Sequence, residues 1–217
     1  MKATAVIFGG FMMPQRVLAK YADVYGPTTR AVRLSTTCLI AGTWYRYDAL
    51  HMELRERGGP LHVHAISGGC HYLYRFMTMY PEHRERVVSQ VYDSPCGSNG
   101  LPIALCHLYG LPAPLARVTA RAVLKAFPDC VETTRRWMDG PLFDPSIPTG
   151  IVTSTRDPIM CVDRVREMTA AWGMKPEMLV TDSMHVQSLR DYPSRYKDFC
   201  TGIRDGFSQG SFRLASE

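Results

Sequence analysis

The 217-residue chain has no Cys-x-x-Cys pair, no run of five like charges, no clean apolar stretch long enough to cross a bilayer, and no internal repeat or low-complexity tract. Each absence removes a class of protein. The cysteines Cys38, Cys70, Cys96, Cys106, Cys130, Cys161 and Cys200 are odd in number and lack zinc-ribbon spacing, so reduced thiols are expected rather than a metal module or a disulfide framework. The net charge of +5 arises from 25 basic and 20 acidic residues spread along the chain, and no nucleic-acid partner is expected. The densest basic cluster, Arg84 to Arg86, reads as the solvated end of a helix.

Ser94 to Ala116 holds no Asp, Glu, Lys or Arg, but its four prolines and three glycines would break a spanning helix, so an apolar loop or cap is expected there. The opening MKATAVIFGGFMMPQ is short in apolar length and lacks a cleavage site. It reads as a strand, and the expected setting is intracellular and cytoplasmic.

What is present is an alternation. Thr4 to Phe8, Arg30 to Leu34, Leu61 to Ile66, Val87 to Tyr92, Thr149 to Ser154 and Pro176 to Thr181 have strand character. Helix-like segments fall near residues 14–25, 43–58, 68–80, 159–173 and 192–204. This spacing predicts one α/β domain over 1–217 with a mostly parallel sheet covered by helices on both faces. Residues 94–148 break the rhythm, with a Pro/Gly-rich loop and helical stretches around Leu115 to Phe127 and Asp129 to Met138. An insertion of that length is expected to act as a cap or lid near the carboxyl ends of the strands.

The run HVHAI ends at Ser67, and GGCHYLYRFMTMY follows with helical spacing. A serine at a strand-to-helix turn, with small residues two before and two after, has the layout of a nucleophile elbow. Ala65 and Gly69 are those residues; the general pattern has glycine at the first. The N–H of Gly68 can face a developing oxyanion, and a second donor is expected from Gly10 or Phe11 after the first strand. A serine needs a base, and His185 follows the last strand in VTDSMHVQSL. The acid that orients such a histidine is expected to be Asp157, after the fifth strand in TSTRDPIM. Asp93, in VYDSP after the fourth strand, is the rival acid, with turn capping as its alternative role. Asp182 is too near His185 in sequence, and Asp163 reads as a solvent-facing helix residue.

His62 and His64 share one face of a strand and could chelate a metal, but no third ligand is evident and packing is the expectation. His71 and His107 have no partner legible in the sequence. Cys70 reads as buried, and Met12-Met13 as packing beside the first strand.

Taken together, the strand followed by GGF, the HAISGG elbow, VYDSP and the closing SMHVQSLRDYPSRY resemble the transmembrane protein 53 family, an α/β-hydrolase-like group. The resemblance runs from about Ala5 to Cys200 and is most specific at Ser183 to Tyr196. It implies an α/β-hydrolase fold of about six strands in the order 2-1-3-4-5-6, with the nucleophile on Ser67, the acid on Asp157 and the histidine on His185. The resemblance implies a serine hydrolase; the Ser, Asp, His order suits a small-molecule or lipid-like ester or thioester, the uncharged stretch from Ser94 to Ala116 favours an apolar acyl group, and no cofactor or metal is required. The namesake's link to the nuclear envelope implies membrane contact, expected here as peripheral. A hydrolase-fold binding or regulatory protein whose cap seals the site is the second reading.

Overall fold

The computed structural model describes residues 3–10, 13–33, 45–95, 100–126, 132, 135–136, 140 and 142–206. Six strands, β1 (Thr4–Phe8), β2 (Arg30–Val32), β3 (Leu61–Ile66), β4 (Val87–Asp93), β5 (Thr149–Ser154) and β6 (Glu177–Thr181), form one sheet in the order β2-β1-β3-β4-β5-β6. All neighbouring strands are parallel, so every strand presents its carboxyl end to the same edge. The helices are α1 (Gln15–Tyr25), α2 (Tyr45–Arg57), α3 (Gly69–Met79), α4 (Leu101–Tyr109), α5 (Ala113–Ala126), α6 (Val162–Ala171), α7 (Ser188–Asp191) and α8 (Pro193–Arg204). A 3-10 turn, Pro81–Arg86, leads into β4.

Period-two alternation along the strands builds two apolar layers. Val6, Phe8, Val63, Ala65 and Ile151 face α2, α3 and α6, meeting Leu54, Phe76 and Val165. Ala5, Ile7, Val91, Val152 and Leu179 face α1 and α8, meeting Leu18, Tyr21, Tyr196 and Phe199. In α1, Leu18, Tyr21, Val24 and Tyr25 are the buried residues, a three-and-four spacing that puts them on one stripe. β3 is buried on both sides, and its LHVHAI accordingly lacks polar alternation apart from two histidines.

Those histidines are packed rather than arranged for a metal. The Tyr25 ring lies 4.7 Å from that of His62. His62 Nδ1 is 2.8 Å from Ser89 Oγ, and the two ring nitrogens of His64 meet the hydroxyls of Tyr25 and Tyr196 at 2.9 and 3.2 Å. Burial lowers His64 to about 3. Burial, with the charge of Arg75, lowers His71 to about 4. Burial, then the charges of His64 and Arg204, holds His62 well below its ordinary value. Between pH 6.5, where unfolded histidine titrates, and those depressed values, the unfolded chain binds protons that the native one does not, so stability falls as pH falls. Burial also lowers His83, and Asp93, raised chiefly by burial, acts in the opposite sense, one carboxyl against four histidines. We expect the melting temperature to decline from pH 7 toward pH 4.5 and His64→Gln to make the decline shallower by about one proton's worth; an unchanged slope would assign the acid sensitivity elsewhere.

The insertion differs from its sequence reading in one respect. The segment expected as a loop contains α4, with Pro102 in the first helical turn, where its missing N–H leaves no bond unmade. α5 occupies the expected place of the first helical stretch, Leu115 to Phe127, and begins two residues earlier. Most of the second, Asp129 to Met138, lies outside the described residues, as do Leu34, Phe11, Met12, Cys38, Cys96 and Cys130. Of the described cysteines, Cys106, Cys161 and Cys200 are free thiols, and Cys70 and Cys200 are buried.

Candidate active site

The turn after β3 holds Ser67 at φ +50, a left-handed conformation that costs a side-chain-bearing residue roughly 1–3 kcal/mol. Three neighbours make room for it. A Cβ on Gly69 would lie 2.0 Å from the Phe8 carbonyl oxygen, so only glycine lets α3 start this close to β1. A Cβ on Gly10 would lie 3.1 Å from the Ile66 carbonyl oxygen and 3.3 Å from Ser67 Cβ, which puts the turn after β1 directly against the serine. Ala65 pairs with Phe8 and Tyr92 inside the sheet, and its methyl packs in the core, so glycine is not required there. The Ser67 N–H is fixed by the carbonyl of Asp93 at 2.8 Å.

Ser67 is partly exposed, and its Oγ lies 2.8 Å from His185 Nε2. His185 sits in the loop between β6 and α7, and its Nδ1 is 2.7 Å from Asp157 Oδ2. Asp157 follows β5. Its Oδ1 accepts the backbone N–H groups of Ile159 and Met160 at 2.8 and 3.0 Å. An ionised carboxylate only accepts, so the Nδ1–H of His185 donates to Asp157 and the Nε2 lone pair faces the serine hydroxyl. The side chains of His185 and Asp157 are 6% and 0% exposed, so solvent competes little for either bond. The hydroxyl of Ser154, at the end of β5, donates to the carbonyl of Ser183, tying the two loops together.

Asp93, the rival acid, shares no hydrogen bond with His185 among the described contacts. Its carboxylate is instead taken up by Tyr21, Tyr196 and Ser94. Gly68 precedes α3, and the N–H groups of Cys70 and His71 in its first turn bond back to the Ser67 and Gly68 carbonyls at 3.2 Å each. Gly10 flanks the serine, and Phe11 is outside the described residues. Sequence reasoning missed Ser154 and Ser183, which join the two loops, and gave Tyr21 no role.

Two other features lie away from this edge. An open groove of ≈ 460 Å³, lined in part by Arg55, Pro60, His83, Arg86 and Val88, sits at the amino ends of β3 and β4, the opposite end of the sheet from Ser67. Beside it, His51, Glu82 and His83 bring three potential ligand atoms together. Arg86 donates to His83 Nδ1 at 3.0 Å, which leaves the proton of a neutral ring on Nε2, the atom 3.1 Å from His51 Nδ1. That nitrogen therefore donates to His51 and offers a metal no lone pair. Among the described residues, no helix is long and apolar enough to cross a membrane.

The architecture is similar to that of solved α/β-hydrolases. MGS-M2, an α/β-hydrolase enzyme from a Medee basin deep-sea metagenome library, superposes with a TM-score of 0.56 at 13% identity, covering 98% of this chain and 92% of that one. The esterase Pf2001 of Pyrococcus furiosus gives 0.58 at 14% identity, with 95% and 82% covered. A bacterial membrane phospholipase A gives 0.55 at 16% identity, with 94% and 80% covered. The chain has the α/β-hydrolase fold. No family model and no curated protein matches it in sequence.

Proposed function

We propose that the chain is a serine hydrolase acting on esters or thioesters with an apolar acyl group, through a Ser67–His185–Asp157 triad and an acyl-enzyme intermediate. The observation that carries this reading is the continuous pair of short hydrogen bonds, 2.8 Å from Ser67 Oγ to His185 Nε2 and 2.7 Å from His185 Nδ1 to Asp157 Oδ2. Ser67 Oγ attacks the carbonyl carbon while its proton passes to His185 Nε2. The imidazolium so formed is stabilised by the Asp157 carboxylate. The oxyanion is received by Gly68 N–H and by the N–H of Gly10 or Phe11. As the intermediate collapses, His185 returns the proton to the departing alcohol or thiol. Water then attacks the acyl-serine by the same proton route, releasing the acid and restoring Ser67.

The insertion, with α4 and α5, is the cap in this reading. Leu115, Val118 and Val123 of α5 are exposed apolar residues, and no acidic residue occurs between Ser94 and Pro128. Such a surface suits a lipid-like ester and peripheral contact with a membrane better than it suits a peptide. Within the fold, the HAISGG and SMHVQSLRDYPSRY motifs support membership of the transmembrane protein 53 family.

The test is turnover of nitrophenyl esters of short and long acyl chains by the wild-type protein and Ser67→Ala. We expect wild-type hydrolysis that favours longer chains and a loss of at least about 10⁴-fold in kcat for the variant. Equal turnover by both proteins, or none by either, would overturn the proposal and leave the sealed binding protein as the better reading.

A further inference from the structure

Beneath the Ser67–His185 pair lies a buried polar network that the chemistry above does not use. Asp93 ends β4 with no exposed surface. Its Oδ2 accepts the hydroxyl of Tyr196 at 2.7 Å and that of Tyr21 at 3.2 Å, and its Oδ1 accepts the hydroxyl of Ser94 at 2.9 Å. Three hydroxyl donors converge on a group that only accepts when ionised, so the arrangement fits a carboxylate. The proton directions continue outward in one sense. Since Tyr196 commits its proton to Asp93, its oxygen accepts from His64 Nε2 at 3.2 Å, and His64 Nδ1 accepts from the Tyr25 hydroxyl at 2.9 Å.

Asp93 reaches both loops of the site. Its main-chain carbonyl holds the Ser67 N–H at 2.8 Å. Through Ser94, whose Oγ accepts the Val186 N–H at 3.3 Å, and through Tyr21, whose single O–H is shared between Asp93 Oδ2 and the Val186 carbonyl at 3.3 Å, it grips the residue next to His185. Val186 adopts φ +58, a conformation that β-branched residues avoid and that persists only where its surroundings enforce it.

We propose that Asp93 is the positioning residue of this site, its main chain seating the Ser67 turn and its carboxylate, through Ser94 and Tyr21, clamping the strained Val186 that aims His185. The inference rests on the hydrolase reading for its catalytic consequence, but the clamp itself does not. Asp93 also adds a buried anion to the site. Burial raises its carboxyl while the hydrogen bonds of Tyr196, Ser94 and Tyr21 and the charge of a protonated His185 favour its ionised form. The titratable groups around it are Tyr21 and Tyr25 of α1, His64 of β3, Tyr196 and Cys200 of α8, and His185. Burial raises the tyrosines and Cys200 and lowers His64, so these stay uncharged around neutrality.

The test combines ester kinetics with amide hydrogen exchange by NMR on the wild-type protein, Ser94→Ala, Tyr21→Phe and Asp93→Asn. Ser94→Ala and Tyr21→Phe keep the anion and loosen the clamp. They should lower kcat about tenfold or more with KM within about twofold, leave the acid limb of the kcat/KM profile in place, and speed exchange of the Val186 amide. Asp93→Asn removes the anion as well, and should also move the acid limb to lower pH, because an imidazolium near the site loses a buried negative charge. Folded Ser94→Ala and Tyr21→Phe proteins with kcat within about twofold of wild type and unchanged Val186 exchange would overturn the proposal, whether or not Asp93→Asn folds. Should the wild-type protein turn over no ester, the hydrolase reading falls and the exchange data alone decide the clamp.

Discussion

Replacing Asp157 by Asn is expected to lower kcat about 10⁴-fold at neutral pH while the melting temperature changes little. The reason is the direction of two backbone donors. Ile159 and Met160 N–H both point at Oδ1, so an asparagine must keep its carbonyl oxygen there and turn its NH₂ toward His185 Nδ1. The imidazole then has to present a lone pair at Nδ1 and carry its proton on Nε2, the nitrogen that faces Ser67. In that tautomer it cannot accept the serine proton. Steady-state kinetics with a thermal melt on the same sample decide the matter: a folded variant with kcat within about tenfold of wild type would mean that Asp157 does not set the tautomer.

Gly69→Ala is expected to have the largest effect on folding. The added Cβ would sit 2.0 Å from the Phe8 carbonyl oxygen, 2.8 Å from its carbonyl carbon and 3.1 Å from the Gly9 carbonyl oxygen. These are backbone atoms of β1 and the residue after it, with no rotamer to move away on. Relief requires α3 to shift from the sheet, and α3 carries Cys70, Tyr72, Leu73, Phe76 and Met77 into the core. A loss of more than about 4 kcal/mol, or failure to fold, should follow in urea denaturation. Gly140→Ala, where nothing lies within 4 Å of the added atom, is the control and should stay within about 0.5 kcal/mol of wild type. A Gly69→Ala protein as stable as that control would show that strand and helix do not approach this closely.

The fold was legible in the sequence where burial leaves a simple trace. Thr4–Phe8, Leu61–Ile66 and Thr149–Ser154 are strands over the bounds of their apolar runs, because strands buried on both faces need no polar alternation. The strand order implied by the family resemblance, 2-1-3-4-5-6, is the one observed. α4 was hidden by its prolines and flanking glycines, which read as loop punctuation although one proline opens the helix. α7 and the turn at Pro81–Arg86 are too short to carry a period.

Ser67, Asp157 and His185, the proposed triad, are brought within hydrogen-bonding distance because each follows a different strand, and parallel strands deliver their carboxyl ends to one edge. Those positions were legible in the sequence, and the support around them was not. Tyr21 and Tyr196 come to Asp93 from helices 72 and 103 residues away, and no local pattern marks the positive φ of Val186. Tyr196 closes the SMHVQSLRDYPSRY motif, yet a tyrosine at the start of an amphipathic helix gives no hint that its hydroxyl meets a buried carboxylate. Side-chain hydrogen bonds between distant elements are set by packing, and sequence spacing does not encode them.

Ser67 is proposed as a nucleophile activated by His185. Intact-mass spectrometry after treatment with a fluorophosphonate tests that role without knowledge of the substrate. One phosphonyl adduct is expected on wild-type protein, mapped to the peptide containing Ser67, and none on folded Ser67→Ala. A wild-type protein that takes up no adduct, or a Ser67→Ala protein labelled as fully as wild type, would contradict that role.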